Sequence, residues 1–364
     1  MNKSNRLATE SVPATFKPYD TVVFIGRFQA PVHNAHKVLM ERAHQLANNI
    51  VIVIGSANQP RSENNPFTIA EREKVIREVW ESIAPQSKLQ VTSVEDRIYN
   101  DQAWAVNVQA AVQPLVFGDV ALIGHKKDES SFYLDMFPQW EKIDHPLVEP
   151  LNAAKVRDHY FTRGSNMNFL RGVVPEETFK FLDTFRTTPE YEYVLDEKEF
   201  IANYKKQFAT LPYPPVFVTS DAVVIQSGHV LLVKRRGRPG RGQLAFPGGF
   251  LKNVADKDSG PDKSMEDCMI RELYEETKIK VAEKILRGNI RSSKVFDAIK
   301  RSARGRTITH AFNIVLPEGE WNLPKVRGSD DAAYASWIPI SEIKRENCFE
   351  DHYDILMYFL GRSK

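Results

Sequence analysis

The sequence has little cysteine: Cys268 and Cys348 are the two thiols in 364 residues. Two cysteines cannot build a disulfide framework, and no CxxC or Cys/His cluster is present to hold structural zinc. An excess of one charge sign is missing too. Lys and Arg number 49 against 47 Asp and Glu, a net of +2, which gives no electrostatic footprint for nucleic acid or an acidic membrane surface. Long apolar runs are absent; the longest, "VVFIG" and "IVIVIG", are strand-sized and far below the roughly 20 residues of a membrane span. The first twenty residues are polar with no apolar stretch, which argues against a signal peptide. Internal repeats, low-complexity tracts and a GxGxxG loop are also lacking. The expectation is a cytoplasmic multidomain protein that binds neither nucleic acid nor membrane, with homo-oligomerisation left open.

What is present supports more than one core. Apolar residues make up 42% of the chain, and its length predicts two or three domains. After a tail over residues 1–20, "TVVFIG" reads as a buried strand, followed by a loop with Pro31 and a helix from about Asn34 to Asn48. "NIVIVIGSA" is the next strand, so strand, helix and strand form a βαβ unit of a parallel sheet covered on both faces. "KLQVTSV" and "VALIG" continue it, with a helix over "DQAWAVNVQAAVQPLV" between them. "PEETFKFLDTF" and "EKEFIANYKKQFA" read as helices. Pro212, Pro214 and Pro215 mark the best domain boundary. Beyond it, "TSDAVVIQSGHVLLVKRR" has the pattern of a hairpin turning at Ser227-Gly228, and the rest predicts an α+β domain with a mixed sheet.

"FIGRFQAPVHNAH" concentrates Gly26, Arg27, His33 and His36 directly after the first strand. A dinucleotide loop would need GxGxxG, and a metal site would need ligands beyond two histidines. The third reading is phosphate binding: Gly26 lets substrate approach the backbone, and a helix starting near Asn34 offers N–H groups and a partial positive charge. "GRFQAPVHNAH" resembles the GRFQPxHxGH element of nicotinamide-mononucleotide (NMN) adenylyltransferases, within the HxGH nucleotidyltransferase superfamily. "NPFTIAER", "YNDQAW", "GHKKDESSFY" and "LNAAKVRDHYF" follow in family order.

The resemblance implies a Rossmann-like nucleotidyltransferase domain over 21–185, a helical connection over 186–212, and adenylyl transfer from ATP to NMN. A mononucleotide phosphate is already nucleophilic, so positioning and charge stabilisation suffice. His33 and His36 would contact ATP phosphates, while Arg27 and Arg157 would neutralise charge at the transferred group. Gly124, His125, Lys126 and Asp128 would border the nucleotide, with Gly26, Phe28 and Gln29 lining it. Asp101 and Trp104 would lie beside the nicotinamide. From the residues alone, Trp104 also reads as a core aromatic on an amphipathic helix, and Lys126 and Lys127 as solvated surface. The family's HxGH glycine is Ala35 here, and its ISSTxIR hydroxyls give way to Asn152, Ala153 and Ala154.

"RELYEET" sets Glu272, Glu275 and Glu276 at i, i+3 and i+4, on one face of a helix. An acidic solvated face is one reading. With Gly248 and Gly249 upstream in "LAFPGGF", the set resembles the Nudix box, Gx5Ex7REUxEExGU. That likeness implies an α/β/α Nudix hydrolase domain over 213–364. The three glutamates and the Gly249 carbonyl would hold Mg2+ or Mn2+, and Arg271 would fix a carboxylate rotamer. "KNVADKDSGPDKS" lengthens the box; Lys263 stands at its first glutamate and Lys278 at its later glycine. Over nearly the whole chain the sequence resembles bifunctional NMN adenylyltransferase/ADP-ribose pyrophosphatases. This implies hydrolysis of ADP-ribose to AMP and ribose 5-phosphate, with Arg304, Arg306 and His310 as substrate contacts and Asp330 or Asp331 as a further acid. The run from Arg301 to Arg306 also reads as a surface loop. Two rivals remain: a hydrolase whose first domain only binds nucleotide, and a nucleotide-sensing regulator.

Overall fold

The computed structural model describes residues 17–125, 129–146, 153–253, 260–318, 322–329 and 332–361. Most of the expected N-terminal tail lies outside these residues, as do Lys126, Lys127, Asp128, Asn152, Asp330 and Asp331.

The N-terminal half runs β1 (Thr21–Gly26), α1 (Asn34–Leu46), β2 (Asn49–Ile54), α2 (Ile69–Ile83), β3 (Lys88–Ser93), α3 (Asp101–Val112), β4 (Val120–Gly124) and β5 (Glu141–Asp144). The five strands are parallel in the order β3-β2-β1-β4-β5. Continuous apolar runs in β1 and β2 are explained by burial on both faces. Val22, Phe24, Ile50 and Ile52 point into one core with α1 and α2. Val23, Ile25, Val51 and Val53 point into the other with α3. α2 begins with a capping box between Thr68 and Glu71, whereas α1 has no side-chain cap at His33.

Four helices follow: α4 (Ala153–Tyr160), α5 (Asn168–Arg171), α6 (Glu176–Phe185) and α7 (Pro189–Lys206). They share an aromatic core in which Tyr160, Phe161, Phe185 and Tyr191 are buried. The first turns of α7 therefore pack on the N-terminal half, while Asp196 and Glu197 further along it meet Arg238 and the Gly240 N–H.

The C-terminal half contains β6 (Phe217–Gln226), β7 (His229–Arg235), β8 (Leu244–Ala245), β9 (Gly248–Phe250), α8 (Met265–Thr277), α9 (Glu283–Gly288), β10 (Ile290–Phe296), β11 (Thr307–Val315), β12 (Ala332–Pro339) and α10 (His352–Phe359). The mixed sheet runs β10-β11-β6-β7-β12, with β8 on β7 and β9 on β6. β11 and β6 are parallel; the other neighbours are antiparallel. The β6–β7 turn sits at Ser227 and Gly228 with φ of 47° and 73°, the left-handed pair of a tight hairpin. α8 covers one face and α10 the other. Among the described residues no helix is long and apolar enough to cross a membrane.

The halves touch directly. Tyr99, between β3 and α3, places its ring edge on Phe296 at 5.1 Å and donates its hydroxyl to Asp351. Arg345 reaches Glu95 at 3.3 Å.

Candidate active sites

A cleft of about 660 Å3 opens at the carboxyl ends of β1 and β4, where open parallel sheets bind ligands. Arg27, His33 and His36 line it on one side, with Gly26 at the strand end. Asp101, Trp104, Gly124 and His125 line it on another. A Cβ at Gly26 would meet the Phe28 ring at 2.9 Å, and one at Gly124 would meet Leu134 at 2.5 Å. Both glycines therefore bring bare backbone to the cleft because a neighbouring side chain fills the space behind them.

His33 and His36 stack with ring centroids 3.7 Å apart. Burial, then the neighbouring His33, holds His36 well below the ordinary imidazole pKa, so it faces the cleft neutral at pH 7. The α1 terminus is less open than the sequence implies, because the Asn34 N–H donates to the Val173 carbonyl at 3.1 Å; Ala35 and His36 remain at the cleft. The His125 Nδ1 lies 2.8 Å from the His145 carbonyl, which fixes that ring as a donor there.

Arg27 donates to Ser56 at 2.9 Å and to Asn65 at 2.6 Å. Arg157, one helical turn after the cleft-lining Ala153, is half-buried with its pKa lowered to about 10, first by burial and next by Arg27. Arg72, which carried no role in the sequence reading, is 1% exposed and donates to the carbonyls of Arg27, Gly55 and Ser56. Its pKa is also lowered to about 10 by burial and by Arg27. Arg27 repels both Arg72 and Arg157, and together the guanidinium groups form a field suited to an anion.

Phe28 and Gln29 stand behind the wall rather than in it. Phe28 packs under His36 at 4.7 Å between ring centroids. The Gln29 amide donates to Asn65 and accepts from the Phe67 N–H. Trp104 combines both readings: it lines the cleft while its ring lies 6.2 Å from Tyr133 at the edge of the core. Ala154 is exposed.

The second site lies between β9 and α8. A Cβ on Gly249 would fall 2.4 Å from Glu272 Oε1, and one on Gly248 2.3 Å from Asp221, so the glycine pair lets carboxylates press against the strand. Glu276 is 8% exposed and accepts from the Gly248 N–H at 3.0 Å. Burial foremost, with the charges of Glu272 and Asp221, pushes its pKa up to about 8. Asp221 and Glu272 are raised too, burial again leading. Such buried hard oxygens suit a divalent cation, whose charge would reverse these shifts.

Arg271 donates to Glu272 at 2.7 Å and to Glu275 at 2.9 Å. It also forms a two-pronged pair with Asp262, both bonds 2.9 Å, which holds that carboxyl down to about 2. Asp262 belongs to the inserted loop and was missed; its neighbour Lys263 is exposed. Among the described residues no three His, Cys, Asp or Glu side chains already converge as a metal cluster, because Arg271 draws Glu272 and Glu275 while Glu276 turns to Gly248. Lys278, at the box's glycine position, adopts φ 47°, ψ 33° at the end of α8, the left-handed cap that favours glycine.

A small cleft of about 50 Å3 beside β9 is lined by Asp221, Arg235, Gly249, Arg304, Glu350 and His352, among others. Arg304 lies over the rings of Phe250 and Phe349 at 5.2 and 5.8 Å. Arg306 and His310 do not line this cleft; Arg306 is 4.0 Å from Asp297, and the His310 Nε2 lies 2.9 Å from Ser293 Oγ. The surface-loop reading fails for Arg301, which is 5% exposed and bound through two hydrogen bonds to Asp351. That pairing joins residues fifty apart, and nothing local in the sequence signals it.

Comparison with known proteins agrees with this division. The NUDIX domain model matches residues 217–359 and the cytidylyltransferase-like model residues 23–127. The nicotinamide/nicotinic acid mononucleotide adenylyltransferase of Acinetobacter baylyi is 36% identical over 177 residues, covering 48% of this chain and 90% of the relative. The ADP-ribose pyrophosphatase of Methanocaldococcus jannaschii is 26% identical over 140 residues, 38% of this chain and 70% of that protein. The crystal structure of a bifunctional NMN adenylyltransferase/ADP ribose pyrophosphatase from Francisella tularensis superposes with a TM-score of 0.84 at 31% identity, covering 95% of this chain and all of that one. Its complex with AMP and a manganese ion gives 0.82 at 30% identity, with 95% of this chain and 100% of that chain covered. Two clefts with different chemistry, on two domains in this order, place the chain in the family of bifunctional NMN adenylyltransferase/ADP-ribose pyrophosphatases.

Proposed function

We propose that the N-terminal cleft joins NMN to the adenylyl group of ATP, giving NAD and pyrophosphate, and that the C-terminal site hydrolyses ADP-ribose to AMP and ribose 5-phosphate. The observation that carries the first half is the convergence of Arg27, His33 and His36 with Asp101 and Trp104 on one cleft. In adenylyl transfer the NMN phosphate attacks the α-phosphorus and pyrophosphate leaves. No protein nucleophile is required, so the chain's work is positioning and charge. Neutral His36 and its stacked partner His33 would donate to ATP phosphate oxygens. Arg27 and Arg157 would take up the charge that grows on the transferred group, with Arg72 holding the Arg27 backbone in place.

At the second site Glu272, Glu275, Glu276 and the Gly249 carbonyl would hold Mg2+ or Mn2+. A divalent ion supplies charge to the bridging diphosphate and lowers the pKa of its water. Arg271 holds the first two carboxylates in register, and Arg304 between Phe250 and Phe349 offers a cationic, stackable surface to the substrate. A cytoplasmic location fits the two free, buried cysteines.

Purified protein incubated with NMN, ATP and Mg2+ should form NAD, and with ADP-ribose should release AMP. Cleavage of ADP-ribose without NAD formation would reduce the first domain to a nucleotide-binding module. The mononucleotide assay run with nicotinate mononucleotide as well defines the substrate range.

A further inference from the structure

Lys300 and Arg301 are consecutive residues that serve different clefts. Lys300 lines the 660 Å3 cleft of the N-terminal domain, although it belongs to the C-terminal domain. Arg301 lines the small cleft of its own domain. The segment that carries them is firmly tied. Arg301 grips Asp351 at 2.9 and 2.8 Å, with side-chain exposures of 3% and 0%. The Oδ2 atom of Asp351 that accepts from Arg301 Nε also accepts the Tyr99 hydroxyl.

Tyr99 belongs to the loop whose Asp96, Arg97 and Ile98 form a wall of the large cleft, just before Asp101. A second tie runs from Arg345, itself paired with Asp354 at 2.6 and 2.9 Å, to Glu95 at the start of that loop. The C-terminal domain thus clamps this wall at both ends and presents Lys300 beside it.

Charge gives the placement a purpose. Asp96 and Asp101 face the same cleft with Arg97 between them in the chain, so one cation is set against two carboxylates there and the balance still repels an anionic ligand. Arg27 and the stacked histidines supply positive or donor groups at the α1 end. Lys300 lines the same cleft, and its neighbour Arg301 is tied through Asp351 to Tyr99, two residues before Asp101.

We infer that Lys300 is a substrate-binding residue of the adenylyl-transfer site, contributed by the hydrolase domain, whose ammonium neutralises an anionic oxygen of the pyridine mononucleotide. This rests on reading the large cleft as the adenylyl-transfer site. Two oxygens share that chemistry: the 5′-phosphate of either mononucleotide, and the ring carboxylate of the nicotinate form.

The test is steady-state synthesis of the dinucleotide by the full-length chain with NMN, with nicotinate mononucleotide and with varied ATP, comparing Lys300→Ala and Lys300→Arg. Lys300→Ala should raise the mononucleotide KM about tenfold, the scale of one lost charge-assisted contact, with kcat and the ATP KM little changed. Lys300→Arg should restore most of the loss. A rise for both mononucleotides assigns the contact to the phosphate; a rise for the nicotinate form alone assigns it to the carboxylate. Unchanged KM for both, or a rise confined to ATP, overturns the inference, with ADP-ribose hydrolysis as the control for folding. A wild-type chain that forms no dinucleotide would sink the adenylyl-transfer reading itself and this inference with it.

Discussion

Raising the pH in metal-free buffer should weaken the C-terminal domain, and Glu276 is one source of the effect. Its carboxyl is pushed from an ordinary 4.5 to about 8 in the folded chain, burial first and the charges of Glu272 and Asp221 after it. An acid raised on folding binds its proton more tightly when folded. Stability is therefore greatest below about pH 4.5 and falls as the pH climbs towards about 8. At 1.36 kcal/mol per unit the shift corresponds to roughly 5 kcal/mol, a ceiling because water reaching the carboxyl would reduce the burial that leads the shift. Asp221 and Glu272 are raised too and push in the same direction. Asp262, lowered to about 2, acts in a separate acid window: its contribution is present above about 3.8 and lost as the pH falls towards 2. Calorimetry in chelator between pH 5 and 8 should show the C-terminal transition falling by several degrees, roughly 2–4 °C per kcal/mol for a domain of this size. Mn2+ should restore it at the high end, and Glu276→Gln should flatten the slope. A wild-type transition independent of pH in chelator, or a slope undiminished by Glu276→Gln, would refute the reasoning.

Gly249→Ala places a methyl carbon 2.4 Å from Glu272 Oε1; steady-state assays should show ADP-ribose hydrolysis down by about 10²-fold, as for loss of one oriented charge-stabilising group, with NAD synthesis intact. Lys278→Gly relieves a left-handed residue at the end of α8 and should stabilise the domain by about 0.5–1 kcal/mol in urea unfolding, since glycine bears that conformation without strain.

The parts of the molecule written locally were legible in the sequence. β1, α1 and β2 followed from unbroken apolar runs around a helical repeat, and the two faces of the sheet account for those runs. Glu272, Glu275 and Glu276 at i, i+3 and i+4 lie along one side of α8, and His33 at the extended start of α1 stacks on His36 in its first turn, so sequence spacing alone brought each set close. What escaped depends on distant pairing. Arg72 matters because it bonds three carbonyls on two other loops. Asp262 sits in the insertion that seemed only to interrupt the Nudix box, yet it is the carboxylate that anchors Arg271. Arg301 looked like one of several surface cations until Asp351, fifty residues on, enclosed it. Phe28 and Gln29 show the converse: adjacency to a motif placed them among the substrate contacts, and the fold turns them into its support.

Crossed variants test the central claim of two separate phosphate chemistries most directly. Both activities should be measured on one preparation each of His36→Ala and Glu275→Gln. The account predicts that His36→Ala loses NAD synthesis and keeps ADP-ribose hydrolysis, while Glu275→Gln does the reverse. Loss of both activities in either folded variant, or retention of hydrolysis in Glu275→Gln, would contradict it.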